Sequence, residues 1–153
     1  MNNLIPAGFV IERHFDAPPQ RVFECYANPK EKLAWMACHS NWRHEIFEFH
    51  EGGRELGGDP THSPAYVFDG VYHQIIPGRR IAYAYRMTRD GMFFASSVSS
   101  IELLPENGGT RLVFFEQSLF TDGPDTPAMR EEGTNWGIDQ LSRYLAAQKE
   151  AVR

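Results

Sequence analysis

Two charged residues of this sequence stand where the local pattern favours an apolar side chain. Arg13 lies on the apolar side of an alternating segment that contains Ile11 and Phe15, and Glu116 lies on the apolar side of the segment 110–120. Burying a guanidinium or a carboxylate is costly unless charges or hydrogen bonds compensate it. Three roles are therefore open: a polar anchor for a ligand's carboxylate, carbonyl or hydroxyl, a general base at Glu116, or a structural ion pair.

Small polar residues accompany Glu116. Ser97 and Ser99 alternate with apolar residues in the strand-like segment 92–104, which precedes a loop at 105–109. The register that we predict for this hairpin pairs Leu103 with Thr110, Ile101 with Leu112, Ser99 with Phe114, and Ser97 with Glu116. Because small side chains leave space, this end of the hairpin predicts the opening of a cavity. Serines that face solvent on an edge strand are the alternative.

Aromatic residues and two glycines complete the candidate site. Most large aromatic side chains in a domain of this size belong to the core. We select the following as candidates for a ligand-binding wall: Trp35, Tyr72, Tyr83, Tyr85, Phe114 and Trp136. Gly133 and Gly137 share one face of a helical segment, although each costs about 0.8–1 kcal/mol there relative to Ala. Close packing of the helix on a sheet is the favoured reason, and ligand contact is the alternative.

Metal and cofactor motifs are weak or absent in the sequence. Cys38, His39 and His44 match no metal-ligand spacing, and the segment 44–48 lacks the second histidine of HExxH. No glycine-rich phosphate loop follows a strand, and no GxSxG elbow occurs. Cys25 is read as a small core residue. We therefore expect neither a metal nor a cofactor.

Hydrophobic periodicity predicts the elements that must position these residues. Alternation predicts strands at 9–16, 44–50, 54–57, 65–76, 80–88, 92–104 and 110–120, with short helices at 20–27 and 30–36. A long helix from Thr126 to about Glu150 begins with Thr126 as N-cap and Pro127 at the first position. Its apolar face comprises Trp136, Ile138, Leu141, Tyr144 and Leu145. The expected class is α+β, with six to seven antiparallel strands around this helix, as one domain over 1–153.

Composition limits the partners. The chain has 153 residues, with 15 Lys and Arg against 20 Asp and Glu, a net charge of −5. An acidic chain without a basic run argues against nucleic acid and anionic membrane surfaces. No apolar run approaches the roughly 20 residues that span a bilayer. The N-terminal residues lack the pattern of a signal peptide, so we expect a cytoplasmic protein.

Several segments, in this order, resemble the SRPBCC superfamily, also called START-like or pollen-allergen-like. The opening strand and two helices of that superfamily are similar to FDAPPQRVFECYANPKEKLAWM, and its next strands to HEGGREL and GVYHQIIPGRRIAYAYRM. Its last strand is similar to GGTRLVFFEQSLF. The closing helix, REEGTNWGIDQLSRYLA, resembles the branch grouped with the activator of the ninety-kilodalton heat-shock chaperone's ATPase. The resemblance implies a helix-grip fold, in which a curved antiparallel sheet encloses a deep cavity with the C-terminal helix.

The resemblance also implies that the first and last strands are neighbours, so that Arg13 and Glu116 meet. On this basis we expect binding of an apolar or amphipathic small molecule, oriented by these two residues and a tyrosine hydroxyl. One alternative is a cyclase, dehydratase or hydrolase that uses the same cavity, with Glu116 or Tyr83 as acid–base.

A co-chaperone-like module that stimulates a chaperone ATPase is the second alternative. Co-chaperones of that branch carry an additional N-terminal domain, whereas this sequence begins at the first strand. A homodimer formed through Trp42, Phe47 and Phe49 is a further possibility for its partners.

Overall fold

The computed structural model describes residues 3–36 and 41–151. Within these ranges the chain forms seven strands and three helices, and they follow one another as β1 (Leu4–Phe15), α1 (Pro19–Ala27), α2 (Pro29–Met36), β2 (Arg43–Phe47), β3 (Arg54–Gly58), β4 (Tyr66–Ile76), β5 (Arg80–Arg89), β6 (Met92–Glu106), β7 (Gly109–Thr121) and α3 (Pro127–Ala151). All of these elements were predicted, and the largest difference is that β1 begins at Leu4 rather than at Phe9.

The strands form one antiparallel sheet in the order β1-β7-β6-β5-β4-β3-β2. The chain therefore starts at one edge, crosses to the other edge through α1 and α2, and returns strand by strand until β7 pairs with β1. The sheet is curved, and α3 packs against β1 and α2. The predicted helix-grip architecture is confirmed.

The β6–β7 hairpin differs from its predicted register by two residues. The φ angles of Asn107 and Gly108 are 49° and 76°, the positive pair that a two-residue type I′ turn requires. The resulting pairs include Glu106–Gly109, Leu103–Leu112, Ser99–Glu116 and Ser97–Ser118. The five-residue loop of the prediction was therefore wrong. Because side chains alternate with a period of two, a shift of two residues leaves every side chain on its predicted face.

Two of the helices begin at a residue whose side chain caps the helix N-terminus. Asn28 Oδ1 accepts hydrogen bonds from the backbone N–H groups of Lys30 and Glu31, at 2.9 and 3.2 Å, and so caps α2. Thr126 Oγ1 accepts from the N–H of Met129 at 3.3 Å, which confirms the predicted N-cap of α3. These caps fix where the two helices start and therefore which of their residues face the sheet.

The core fills one end of the space between the sheet and α3. Leu141 and Leu145, in the C-terminal half of α3, are buried with Ile101, Leu103 and Leu112 of the central strands. The first half of α3 is different, because Met129, Gly133 and Trp136 are exposed there. The sheet and the helix are thus packed together at one end and separated at the other.

Candidate functional site

A cavity of about 270 Å³ lies between the sheet and the N-terminal half of α3. This volume is close to the lower end of the range of small-molecule pockets, roughly 300–1,000 Å³. Its wall is mainly aromatic, and the rings belong to Tyr26, Trp35, Trp42, Phe68, Tyr83, Tyr85, Phe114 and Trp136. Met36, Met87 and Met129 add unbranched side chains that adapt to irregular shapes. A recess of about 20 Å³ adjoins the cavity and shares Tyr83 and Glu55 with it.

Two glycines of α3 keep this cavity open. Gly133 and Gly137 both line it, and a Cβ atom added at either position would have no neighbour within 4 Å. The prediction that they allow close packing on the sheet was therefore wrong. They face empty space instead, and larger side chains there would project into the cavity.

Replacing both glycines by Ala should raise the free energy of unfolding by about 1.5–2 kcal/mol. Each glycine costs about 0.8–1 kcal/mol in a helix interior, and the added methyl groups meet no atom. Urea denaturation followed by circular dichroism measures the gain. Exposed Ala147 of the same helix provides the control, since Ala147→Gly should lower stability by about 1 kcal/mol. Destabilisation by the double Ala variant would show that the space is not available.

Glu116 lies at the centre of a buried hydrogen-bond cluster. Its side chain is fully buried, and its Oε1 accepts from Tyr85 Oη at 2.6 Å and Ser99 Oγ at 2.8 Å. Its Oε2 accepts from Ser118 Oγ and Arg130 Nη1, both at 3.3 Å. Both carboxylate oxygens are therefore occupied. Tyr85 and Arg130 line the cavity and Glu116 does not, so these two side chains lie between the carboxylate and the cavity.

The cation that pairs with Glu116 is Arg130, not Arg13. Arg13 Nη1 instead donates to Asp139 Oδ1 at 2.7 Å, and Arg13 Nη2 donates to Asn135 Oδ1 at 2.8 Å. The first and last strands are neighbours as expected, but Glu116 pairs with Phe9, four residues before Arg13. The prediction that Arg13 and Glu116 meet was therefore wrong, and Arg13 binds α3 in a partly exposed ion pair.

Arg130 lines the cavity and contacts Glu116, which lies behind the wall. Besides Glu116, its Nη1 donates to Tyr85 Oη at 2.6 Å and to Ser97 Oγ at 3.2 Å. Its guanidinium carbon lies 5.2 Å from the ring centre of Tyr85 and 5.1 Å from that of Phe120, which adds cation–π attraction. Burial raises the pKa of Tyr85 above its usual range, and the charge of Glu116 adds to this effect. Tyr85 is therefore a hydrogen-bond donor at neutral pH.

A second buried ion pair lies at the other side of the cavity. Lys32 Nζ of α2 donates to Glu55 Oε1 of β3 at 2.6 Å, and Tyr72 Oη donates to the same oxygen. His44 Nε2 lies 3.7 Å from Glu55 Oε2. Burial alone would raise the pKa of Glu55, but the charge and hydrogen bonds of Lys32 and Tyr72 outweigh it and lower that pKa. Burial lowers the pKa of His44.

The predicted site residues therefore fall into two groups. The side chains that line the cavity are Trp35, Tyr83, Tyr85, Phe114 and Trp136. Tyr72 borders only the small recess, and Ser97, Ser99 and Glu116 lie behind the wall. The two serines donate or accept hydrogen bonds around Glu116 and Ser118 rather than opening space, so the prediction of a void beside them was wrong. Cys38 and His39 lie outside the described residues.

Comparison with known proteins identifies the family. The sequence model described as "Activator of Hsp90 ATPase homolog 1-like protein" matches residues 16–146. The chain belongs to this family. Activator-of-Hsp90-ATPase-homolog-1-like proteins are part of the SRPBCC superfamily, so the resemblance drawn from the sequence is confirmed. No protein with a curated description matches the chain.

Solved structures of similar proteins share this fold. An uncharacterized protein of Rhizobium leguminosarum is 34% identical and covers 96% of this chain and 99% of its own, with a TM-score of 0.88. The Mll3558 protein of Rhizobium loti is 31% identical over 93% of this chain and 99% of its own, with a TM-score of 0.85. An AHSA1-like protein of Aeromonas hydrophila, 20% identical over 94% of both chains, shares the fold with a TM-score of 0.66.

Sequence reasoning missed Arg130, Lys32 and Glu55. Arg130 precedes Ile138 and Leu141 by 8 and 11 residues, spacings that place it on the same face of α3. That periodicity was the available signal. Lys32 and Glu55 gave no comparable signal, because each is a charged residue in a polar local context. In the described part of the chain, no helix is long and apolar enough to cross a membrane.

The aromatic residues suggested as dimer contacts are used within the chain. Phe49 packs against Phe23 and Tyr72, with ring centres 5.7 and 4.9 Å apart. Phe47 stacks on Phe49 at 6.2 Å, and Trp42 lines the cavity. These three side chains are partly buried, and formation of a homodimer remains a prediction.

Proposed function

We propose that this protein binds an apolar or amphipathic small molecule in the cavity between the sheet and α3. The cavity itself is the observation that supports this proposal: about 270 Å³ of space in an aromatic wall that two glycines keep open. Burial of ligand in such a wall supplies about 25 cal/mol per Å² of apolar area, before the cost of ordering the ligand. The buried charges nearby are already paired, so apolar contact is expected to provide most of the affinity.

An uncharged fluorescent probe, N-phenyl-1-naphthylamine, tests this proposal. We expect its emission to rise on binding to the purified protein, and the variant Gly137→Leu to weaken that binding at least about tenfold because the new side chain occupies the cavity. Ala147→Leu introduces the same side chain on the exposed side of α3 and should leave binding unchanged. Native mass spectrometry of protein purified without added ligand reports any retained molecule and the oligomeric state.

Equal binding by Gly137→Leu and the unaltered protein would contradict the proposal. The probe would then be bound elsewhere, for example on the outer face of the sheet, where Val98 and Phe115 are 58% and 43% exposed. Absence of any binding by the unaltered protein would contradict it more directly.

The two alternative functions have less support. An enzyme that uses Glu116 as general base would need a free carboxylate oxygen in the cavity, whereas Glu116 accepts four hydrogen bonds and lies behind Tyr85 and Arg130. A co-chaperone-like role rests on the family description alone. An ATPase assay with the ninety-kilodalton chaperone and micromolar protein tests that role, and lack of stimulation would remove it.

A further inference from the structure

Tyr83 carries a hydroxyl group without a hydrogen-bond partner in the described part of the chain. Its ring lines both the cavity and the adjoining recess, among the rings of Phe68, Tyr72 and Tyr85. The hydroxyls of Tyr72 and Tyr85 each donate to a buried carboxylate, but that of Tyr83 does not. Within the described residues the hydroxyl of Tyr26, which also lines the cavity, has no partner either, but Tyr26 is only 4% exposed. Tyr83 is partly exposed and is therefore the more accessible of the two unpaired hydroxyls.

The hydroxyl of Tyr83 is also not sealed within the protein. Among the described residues, the buried side-chain atoms that lack a hydrogen bond belong to His44, Arg89 and Asp125, not to Tyr83. Because this oxygen is neither bonded nor sealed, it borders open space, and Tyr83 lines both the cavity and the adjoining recess. Burial raises the pKa of Tyr83 well above its usual value, so the hydroxyl stays protonated at neutral pH and can donate a hydrogen bond.

Each of the two buried carboxylates near the cavity is paired with one cation. Glu116 is paired with Arg130 and Glu55 with Lys32, so the two clusters together carry no net charge. A ligand carboxylate or ammonium would add an uncompensated charge to a largely apolar space, which is costly. An uncharged ligand avoids this cost.

Hydrogen-bond donors remain available in the cavity wall. Only Nη1 of the Arg130 guanidinium makes side-chain hydrogen bonds within the described residues, which leaves N–H groups on its other nitrogens. Both oxygens of Glu116 are occupied. A ligand therefore meets hydrogen-bond donors at Tyr83 and Arg130. Glu55 also lines the cavity, where Lys32 and Tyr72 both donate to its Oε1.

We propose that the ligand is an uncharged molecule with an apolar ring system and a hydrogen-bond acceptor, such as a ketone, ester or amide carbonyl, and that Tyr83 donates to this acceptor. This inference rests on the proposed function, because it specifies the ligand of the same cavity. Apolar contact then provides affinity, and the single hydrogen bond to Tyr83 determines orientation.

A naphthalene series tests the chemical class with one ring system. The compounds are naphthalene, 2-acetonaphthone, 2-naphthoate and 2-naphthylmethylammonium, each titrated as a competitor of N-phenyl-1-naphthylamine. We expect 2-acetonaphthone to bind about three- to tenfold more tightly than naphthalene, the contribution of one neutral hydrogen bond. Both charged compounds should bind at least about tenfold more weakly than 2-acetonaphthone.

The variant Tyr83→Phe tests the donor. It removes a hydroxyl that has no partner, so stability should be retained, and the advantage of 2-acetonaphthone over naphthalene should fall below about twofold. Tyr144→Phe is the matched control: its hydroxyl donates to Glu31 at 2.8 Å, and it does not line the cavity. This control should keep the full advantage.

Three results would overturn the inference and leave the proposed function intact. They are naphthoate or the ammonium compound binding as tightly as 2-acetonaphthone, no advantage of 2-acetonaphthone over naphthalene in the unaltered protein, and an unchanged advantage in Tyr83→Phe. If neither the probe nor any of the four compounds binds, the proposed function itself fails, and this inference fails with it.

Discussion

Replacing Arg130 by Met should lower the free energy of unfolding by about 3 kcal/mol. The change leaves the carboxylate of Glu116 fully buried without its cation, and breaking a buried pair from one side costs about 3–5 kcal/mol. We expect the lower end of that range because Tyr85, Ser99 and Ser118 still donate to the carboxylate. Urea denaturation at low ionic strength measures the loss, since urea does not screen charges.

Two further variants give this prediction its control. Arg13→Met breaks a partly exposed pair with Asp139 and should cost no more than about 1 kcal/mol. In the double variant Arg130→Met/Glu116→Gln the buried charge is removed, so much of the lost stability should return. Equal losses for Arg13→Met and Arg130→Met would contradict the assignment of Arg130 as the partner of Glu116.

Replacing Lys32 by Met should also cost about 3 kcal/mol at pH 7. The side chains of Lys32 and Glu55 are 8% and 7% exposed, so the carboxylate that remains is enclosed and keeps only its hydrogen bond from Tyr72 as a strong contact. Arg54→Met on the same strand is the matched control, because the Arg54 side chain is 45% exposed in its pair with Asp69. That control should cost clearly less than Lys32→Met, because solvent screens an exposed pair.

The loss caused by Lys32→Met should shrink as the pH falls. In the unaltered protein the folded-state pKa of Glu55 is lowered, so its contribution is complete above the ordinary pKa of about 4.3 and disappears as the pH falls through the folded value. Without Lys32, burial instead raises the pKa of Glu55, and protonation relieves the buried charge. Chemical denaturation at pH 7, 5.5 and 4.5 measures this trend. A loss that stays constant or grows towards acid would contradict the assignment.

These two ion pairs connect two helices to the sheet on either side of the cavity. Lys32 joins α2 to β3 beside Glu55, and Arg130 joins α3 to β7 beside Glu116. Both lie next to the cavity, a volume that side chains do not fill. Each pair adds a directional contact between a helix and the sheet without filling the space.

Local pattern was sufficient to predict the elements of the fold. Alternation in segments such as 80–88 and 92–104 follows from the two-residue period of a strand, and it is visible in sequence because one face of the sheet is enclosed. The same period explains why the prediction that Glu116 faces inward was correct although the predicted register was wrong. The error was two residues, and a shift of two residues leaves each side chain on the same face of the sheet. Thr126 and Pro127 likewise marked the start of α3 through local chemistry alone.

The partners across the fold depended on tertiary structure. Sequence indicated that Glu116 is buried but assigned Arg13 rather than Arg130 as its partner, because the partner depends on where α3 lies over the sheet. The sequence also shows that Gly133 and Gly137 lower helix stability, but it does not show whether an atom or empty space lies opposite them. Charges and cavities are set by distances between segments remote in the chain. The sequence alone thus determined which side chains face inward, and the tertiary structure decided which of them touch and where space remains.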